Sequence, residues 1–222
     1  MITDSRRYSI IMTVYDQDYD LKENLPVFLE QKYEPGYEVI VVDESSTDET
    51  PDVLKLLKND HQNLYTTFLP KPTYYVKQKM QSYNIGIKAA KNDWIIFADA
   101  SHKPEGDYLL QAIDEKLDTT AEVTLGYLTK KGIKLQAFDT CDDVKDYIIR
   151  KERKIQKVRT RKRKNYRFGR YDFVIIRKRL ALEILPFYEQ HPSFWQRQGM
   201  RWRIFWKNLL SSYERITYLP QE

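Results

Sequence analysis

At 222 residues and a formal net charge of +5, the chain is long enough to form one large domain around its own hydrophobic core, without disulfides. It has no run of about 20 consecutive apolar residues, as a membrane-spanning helix requires; its first ten residues do not resemble a signal peptide, and its single cysteine, Cys141, has no intramolecular partner. We therefore expect a protein of the reducing cytoplasm whose membrane contacts are peripheral.

The first half of the chain alternates β-branched runs with amphipathic stretches. This alternation is typical of α/β units around a mostly parallel central sheet flanked by helices. The apolar runs predict strands at residues 9–14, 39–42, 64–69 and 94–98. Between these strands we expect three helices. The first covers residues 21–31, the second begins after an N-cap at Asp48 or Thr50, and the third covers residues 79–90.

The second half gives weaker patterns. We expect a helix at residues 107–117 and strands at 123–128 and 173–176. Residues 150–170 contain 12 basic residues and one acid, Glu152, which predicts the end of a helix and then an exposed loop. An aromatic helix is expected from about Ser193. We divide the chain into residues 1–130 and an extension, residues 131–222, that together form one compact domain.

Polar residues follow three of the predicted strands, at residues 13–16, 43–46 and 99–101. In open α/β sheets, ligands bind outside the carboxyl ends of the strands. A carboxylate there can accept hydrogen bonds from a nucleobase or ribose, and a second acid can hold a divalent cation. Taken alone, Asp43 and Asp48 are better explained as turn and capping residues.

Taken together, four segments resemble the family 2 glycosyltransferases. These segments read YSIIMTVYDQ, VIVVDESSTDET, KQKMQSYNIG and IIFADASHKP, and they lie in the family's order within residues 8–104. The resemblance implies the GT-A fold, which binds nucleotide-sugars. It also implies a donor-binding role for residues 1–130 and an acceptor-side role for residues 131–222.

The resemblance assigns roles by position. The nucleobase would be lined by Thr13, Val14 and Tyr15. Asp43 would accept a hydrogen bond from the edge of that base. The rest of the donor would be contacted by Lys79, Asn84 and Asp99. Lys79 could instead be a solvated helix charge, and Asn84 a residue packed under the loop.

Two features depart from the family's pattern. Asp99 matches the first acid of the metal motif, but the second metal position is Ser101, a poorer ligand for Mn²⁺ or Mg²⁺ than a carboxylate. The acidic cluster that supplies the family's general base is missing between Arg170 and Gln198, so the base is unassigned. We therefore expect a divalent metal cofactor that is weakly bound.

A third feature, QGMRW at residues 198–202, matches the family's Gln-x-x-Arg-Trp motif. Arg201 could pair with a diphosphate and Trp202 could stack on a sugar, with Gln198 beside them. The alternative is that this aromatic segment is simply the apolar face of a docking helix.

The leading hypothesis is a glycosyltransferase that moves a sugar from a nucleoside-diphosphate donor to a saccharide or lipid-linked acceptor. The alternative is a weakly active or inactive relative that acts as a nucleotide-binding partner or regulator, which Ser101 and the missing base favour. The basic segment at residues 150–170 could face an anionic membrane surface. Nucleic acid is a less favoured partner because no recognised nucleic-acid motif accompanies that segment.

Overall fold

The computed structural model describes residues 6–69, 75–129, 132–141, 143–144, 146–147, 150 and 172–183, with the side chains of residues 75–80 outside this description. Within these ranges, seven strands and four helices have defined bounds, and residues 178–183 are also helical. The strands are β1 (Tyr8–Val14), β2 (Tyr37–Asp43), β3 (Leu64–Phe68), β4 (Trp94–Ala98), β5 (Val123–Thr129), β6 (Gly132–Phe138) and β7 (Phe173–Arg177). The helices are α1 (Asp18–Leu29), α2 (Thr50–Asp60), α3 (Tyr75–Ala89) and α4 (Leu109–Lys116).

All seven strands form one sheet in the order β3-β2-β1-β4-β7-β5-β6. The four strands β3, β2, β1 and β4 are parallel, whereas β7 runs antiparallel to both β4 and β5, and β5 to β6. The α/β class and the parallel first half are therefore confirmed, and the sheet as a whole is mixed. The predicted C-terminal helical extension lies outside the described residues.

Side chains on the two faces of the sheet form two separate apolar cores. Alternate residues of β1 point to opposite faces, as the two-residue period of a strand requires. Ile10, Met12 and Val14 lie in a core with α1, α2 and α4, while Ile11 lies in a second core with α3. Because the central strands are covered on both faces, their sequences are apolar almost throughout.

Helix α3 approaches β1 closely at Gly86. A Cβ atom placed on this residue would lie 2.6 Å from Ile11 Cγ2, well inside van der Waals contact. Since Cγ2 belongs to a stiff β-branched side chain in a buried strand, it has little freedom to move away. Only glycine therefore allows α3 to pack at this distance.

We expect Gly86→Ala to destabilise the protein by about 1–2 kcal/mol, because overpacking outweighs the alanine's gain in helix propensity. The free energy of unfolding in urea measures this loss. In an Ile11→Ala background, where Cγ2 is absent, the same substitution should cost less. A stabilising effect of Gly86→Ala in the wild-type background would contradict the predicted clash.

Candidate functional site

The polar residues that follow β1, β2 and β4 lie at one edge of the sheet. These three strands are neighbours and run parallel, with Val14 paired with Asp43 and Ile11 with Phe97. Their carboxyl ends therefore meet, and the three segments that the sequence singled out are adjacent. This edge is the candidate site.

Asp43 ends β2 as a buried carboxylate, only 6% exposed. Its Oδ1 accepts hydrogen bonds from the backbone N–H of Ser46 at 2.9 Å and from the hydroxyl of Ser46 at 2.6 Å. Ser46 Oγ in turn accepts the N–H of Asp16 at 3.0 Å. Asp43 thus orders the loop after β2, the turn role that the sequence allowed, and both of these bonds use one of its two oxygens.

The three residues predicted to line the base differ in what they offer to a ligand. Thr13 is 5% exposed, and its hydroxyl is buried without a hydrogen-bond partner among the described residues. The side chain of Val14 lies wholly in the core, so only its backbone could contact a ligand. Tyr15 is 40% exposed and is the ring that a planar ligand could reach.

The loops that follow β1 and β2 are hydrogen-bonded to each other. Asp16, in the left-handed region at φ 47°, accepts the N–H of Thr47 at 2.7 Å, and Asp48 accepts the N–H of Asp18 at 3.2 Å. Asp48 also accepts the N–H of Thr50, the first residue of α2. Burial opposes the ionisation of Asp48, but these hydrogen bonds outweigh it and hold its pKa below the usual value.

Asp99 follows β4 and begins a tight turn. Its Oδ1 accepts the N–H of Ser101 at 2.9 Å, and its carbonyl accepts the N–H of His102 at 3.1 Å. Inside the turn, the carbonyl of Ala100 accepts a hydrogen bond from Asn24 Nδ2 at 2.8 Å. A side chain of helix α1 therefore holds this turn at the sheet edge.

These groups fit a divalent cation poorly. Ser101 supplies a hydroxyl where a carboxylate would be the better ligand. Across the described part of the chain, no group of three or more His, Cys, Asp and Glu side chains could hold a metal ion. Asp99 is the carboxylate in this turn, and one of its oxygens already accepts the Ser101 N–H.

His102 and Asp172 form a pair at the same edge that sequence reasoning missed. His102 Nε2 lies 3.7 Å from Asp172 Oδ1, and Asp172 Oδ2 accepts the N–H of Leu128 at 2.6 Å. Because β7 runs antiparallel to β4 with Phe173 paired to Ala98, Asp172 stands at the carboxyl end of β4. Only this pairing, which local sequence does not encode, brings Asp172 here.

The remaining predicted site residues are placed only in part. Asn84 lies half-buried on α3, two residues before the close approach at Gly86. Lys79 lies on the same helix, but its side chain is outside the described set. Gln198, Arg201 and Trp202 lie wholly outside the described residues. Among the helices that the structure describes, none is long and apolar enough to cross a membrane.

A family model described as "Glycosyl transferase family 2" matches residues 9–185. Two curated relatives are a dolichyl N-acetyl-α-D-glucosaminyl phosphate 3-β-D-2,3-diacetamido-2,3-dideoxy-β-D-glucuronosyltransferase of Methanococcus voltae and a poly(ribitol-phosphate) β-glucosyltransferase of Bacillus spizizenii. The first is 32% identical over 111 residues, which are 48% of this chain and 32% of the relative. The second is 29% identical over 128 residues, which are 57% of this chain and 19% of the relative. The chain thus spans a third or less of either relative's length.

Two solved structures are also similar. A mannosyltransferase from Pyrobaculum calidifontis, in complex with GDP-Man and Mn²⁺, has a TM-score of 0.47 and 23% identity over 55% of this chain and 35% of its own. TarS residues 1–349 from S. aureus, in complex with UDP-GlcNAc, has a TM-score of 0.45 and 23% identity over 55% of this chain and 34% of its own.

Proposed function

The chain belongs to the family 2 glycosyltransferases, and we propose on this basis that it transfers a sugar from a nucleoside-diphosphate donor to a saccharide or lipid-linked acceptor. The observation that carries the proposal is the meeting of three polar strand ends at one edge of the sheet, with Asp43 and Asp99 on either side of β1. Two acids spaced by an intervening strand suit a ligand with a base at one end and phosphates at the other.

In this proposal, the base lies on the side of β2. Asp43 accepts a hydrogen bond from the base edge, and Tyr15 offers its exposed ring. The buried hydroxyl of Thr13, which has no partner among the described residues, gains one. Satisfying a buried polar group is favourable because leaving it unpaired carries a desolvation penalty. Val14 contributes through its backbone.

The sugar-phosphate end of the donor lies on the side of β4. Asp99 faces the ribose, and Lys79, Asn84 and Arg201 are proposed to contact the donor and its diphosphate, with Gln198 and Trp202 beside them. During transfer, the bond from the anomeric carbon to the diphosphate oxygen breaks while a bond to the acceptor oxygen forms, and the proton of the acceptor hydroxyl passes to the general base, which is unassigned. Positive side chains would stabilise the negative charge that the leaving diphosphate gains.

We also propose the division into a donor-binding part, residues 1–130, and an acceptor-side part, residues 131–222. The basic segment at 150–170 would then bring the acceptor side to an anionic membrane surface, on its cytoplasmic face. The aromatic side chains near the C-terminus suit the same interface.

Thermal unfolding with UDP-, GDP-, CMP- and dTDP-sugars, each with and without Mn²⁺, tests the proposal. A ligand that binds only the native state stabilises it by about 2.7 kcal/mol at 100 times its Kd, which shifts the Tm of a chain of this size by roughly 5–10 °C. We expect such a shift with a uridine or guanosine donor, and release of its sugar in a parallel assay. No shift with any of the four donors would refute donor binding.

A further inference from the structure

Helix α1 is hydrogen-bonded to both ends of the candidate donor site. At its start, the N–H of the cap residue Gln17 donates to Thr50 Oγ1 at 3.0 Å, at the start of α2, and the N–H of Asp18 donates to Asp48 in the loop that follows Asp43. Two turns later, Asn24 reaches the turn that carries Asp99. A single rigid helix thus connects the two strand ends across β1.

Asn24 makes the connection at the β4 end. It is a polar residue only 8% exposed, and its Nδ2 donates to the carbonyl of Ala100, which is itself buried, at 2.8 Å. A buried carbonyl without a donor costs free energy comparable to a lost hydrogen bond. The Ala100 peptide is therefore held in one orientation by Asn24.

The Ala100 carbonyl and the Ser101 N–H belong to the same planar peptide group. That N–H donates to Asp99 Oδ1, so Asn24 on one side and Asp99 on the other are bonded to one peptide. Rotation of the Ala100 peptide would displace the Ser101 N–H and with it the Asp99 carboxylate. The orientation of Asp99 thus depends on a side chain from another element.

We propose that Asn24 is a positioning residue that fixes the Asp99 carboxylate toward the donor. This inference rests on the proposed function. It assigns to α1 the task of holding the Asp43 and Asp99 ends of the site at a fixed separation. Replacing the partners that orient metal ligands typically costs about 10–100-fold in affinity, and we expect an effect of the same order here.

The test is the affinity of the full-length chain for UDP and GDP, measured by calorimetry for the wild type and Asn24→Leu. The leucine has a similar volume but cannot donate to Ala100. We expect at least about tenfold weaker binding of the diphosphate that the wild type binds. Asn24→Asp, which keeps the shape and removes the donor, serves the same purpose if the leucine variant does not fold.

A double-mutant cycle separates positioning from general loosening of the fold. If Asn24 acts through Asp99, Asn24→Leu should cause little further loss in an Asp99→Ala background. The matched control is Gln31→Leu, two residues beyond the end of α1. The Gln31 amide donates to the carbonyl of Gly106 and accepts the N–H of Leu109, the first residue of α4. This control variant should lower the Tm without changing diphosphate affinity.

Three results would overturn the inference. Equal diphosphate affinity of the wild type and Asn24→Leu would show that Asn24 positions nothing. An undiminished loss in the Asp99→Ala background would show that it acts elsewhere. Failure of the wild type to bind either diphosphate would overturn the inference, and together with no Tm shift from any of the four donors it would refute the proposed function itself.

Discussion

Asp43→Ala is expected to abolish the nucleotide-dependent rise in Tm while leaving a cooperative fold. Asp43 is the buried carboxylate at the end of β2, and its role in the proposal is to accept a hydrogen bond from the base edge. Hydrogen bonds that involve a charged group contribute about 1.5–3 kcal/mol, so their loss weakens binding by roughly 10–100-fold. At a ligand concentration that just saturates the wild type, the variant should show almost no shift.

The control for Asp43→Ala must account for its second role, since Asp43 also holds Ser46. Ser46→Ala removes the hydroxyl bond to Asp43 but leaves the carboxylate in place. We expect Ser46→Ala to retain most of the nucleotide affinity. Equal losses in both variants would mean that Asp43 acts only by ordering its loop, and unchanged binding in Asp43→Ala would remove the central claim of the proposed function.

Ser101→Asp is expected to increase the affinity for Mn²⁺ in the presence of nucleotide by at least tenfold. Carboxylate oxygens are the ligands that hard cations prefer, and the substitution adds one to the turn that already carries Asp99. With the wild-type serine, we expect slow transfer that gains little from millimolar Mn²⁺. Titration of Mn²⁺ with nucleotide present, followed by an assay of donor hydrolysis, measures both quantities.

Ser101→Asn is the matched control for this substitution, because it adds a side chain of similar size without the charge. It should leave Mn²⁺ affinity near that of the wild type. Tight Mn²⁺ binding by the wild type, together with turnover on the order of 1 per second or faster, would show that the site is not impaired. If Ser101→Asp binds Mn²⁺ tightly yet remains inactive, the missing general base limits the reaction. That result would favour the alternative hypothesis, a weakly active or inactive relative of the family.

Much of the fold could be predicted from the sequence because the central strands are buried on both faces. The runs at β1, β2 and β4 are apolar almost throughout, and the strand predicted at residues 94–98 has the bounds of β4. Strand β6 was missed since it lies at the edge of the sheet, where most of its side chains are partly or fully exposed and its apolar pattern is weak. The N-cap of α2 was predicted at Asp48 or Thr50, but it is Glu49, which makes no side-chain capping hydrogen bond. Asp48 instead accepts the N–H of Thr50, the first residue of the helix.

The candidate site was predictable only where it follows strand ends. Asp43 and Asp99 each come directly after an apolar run, so their positions could be read locally. The contacts of Asn24 with Ala100 and of His102 with Asp172 each join parts of the chain about 70 residues or more apart, a separation that no local pattern encodes. The roles assigned to the predicted site residues remain predictions that the variants above test.

The position of β7 in the sheet has a consequence for how the protein folds during synthesis. This strand is the last one described along the chain, yet it lies between β4 and β5 and joins the parallel half of the sheet to the β5–β6 hairpin. Until residues 173–177 leave the ribosome, β4 has an open edge and the hairpin has no strand to join. The donor-binding strands can associate early, but the sheet is complete only when this late segment inserts, so the sequence separation between β7 and its partners β4 and β5 sets the contact order of the final step.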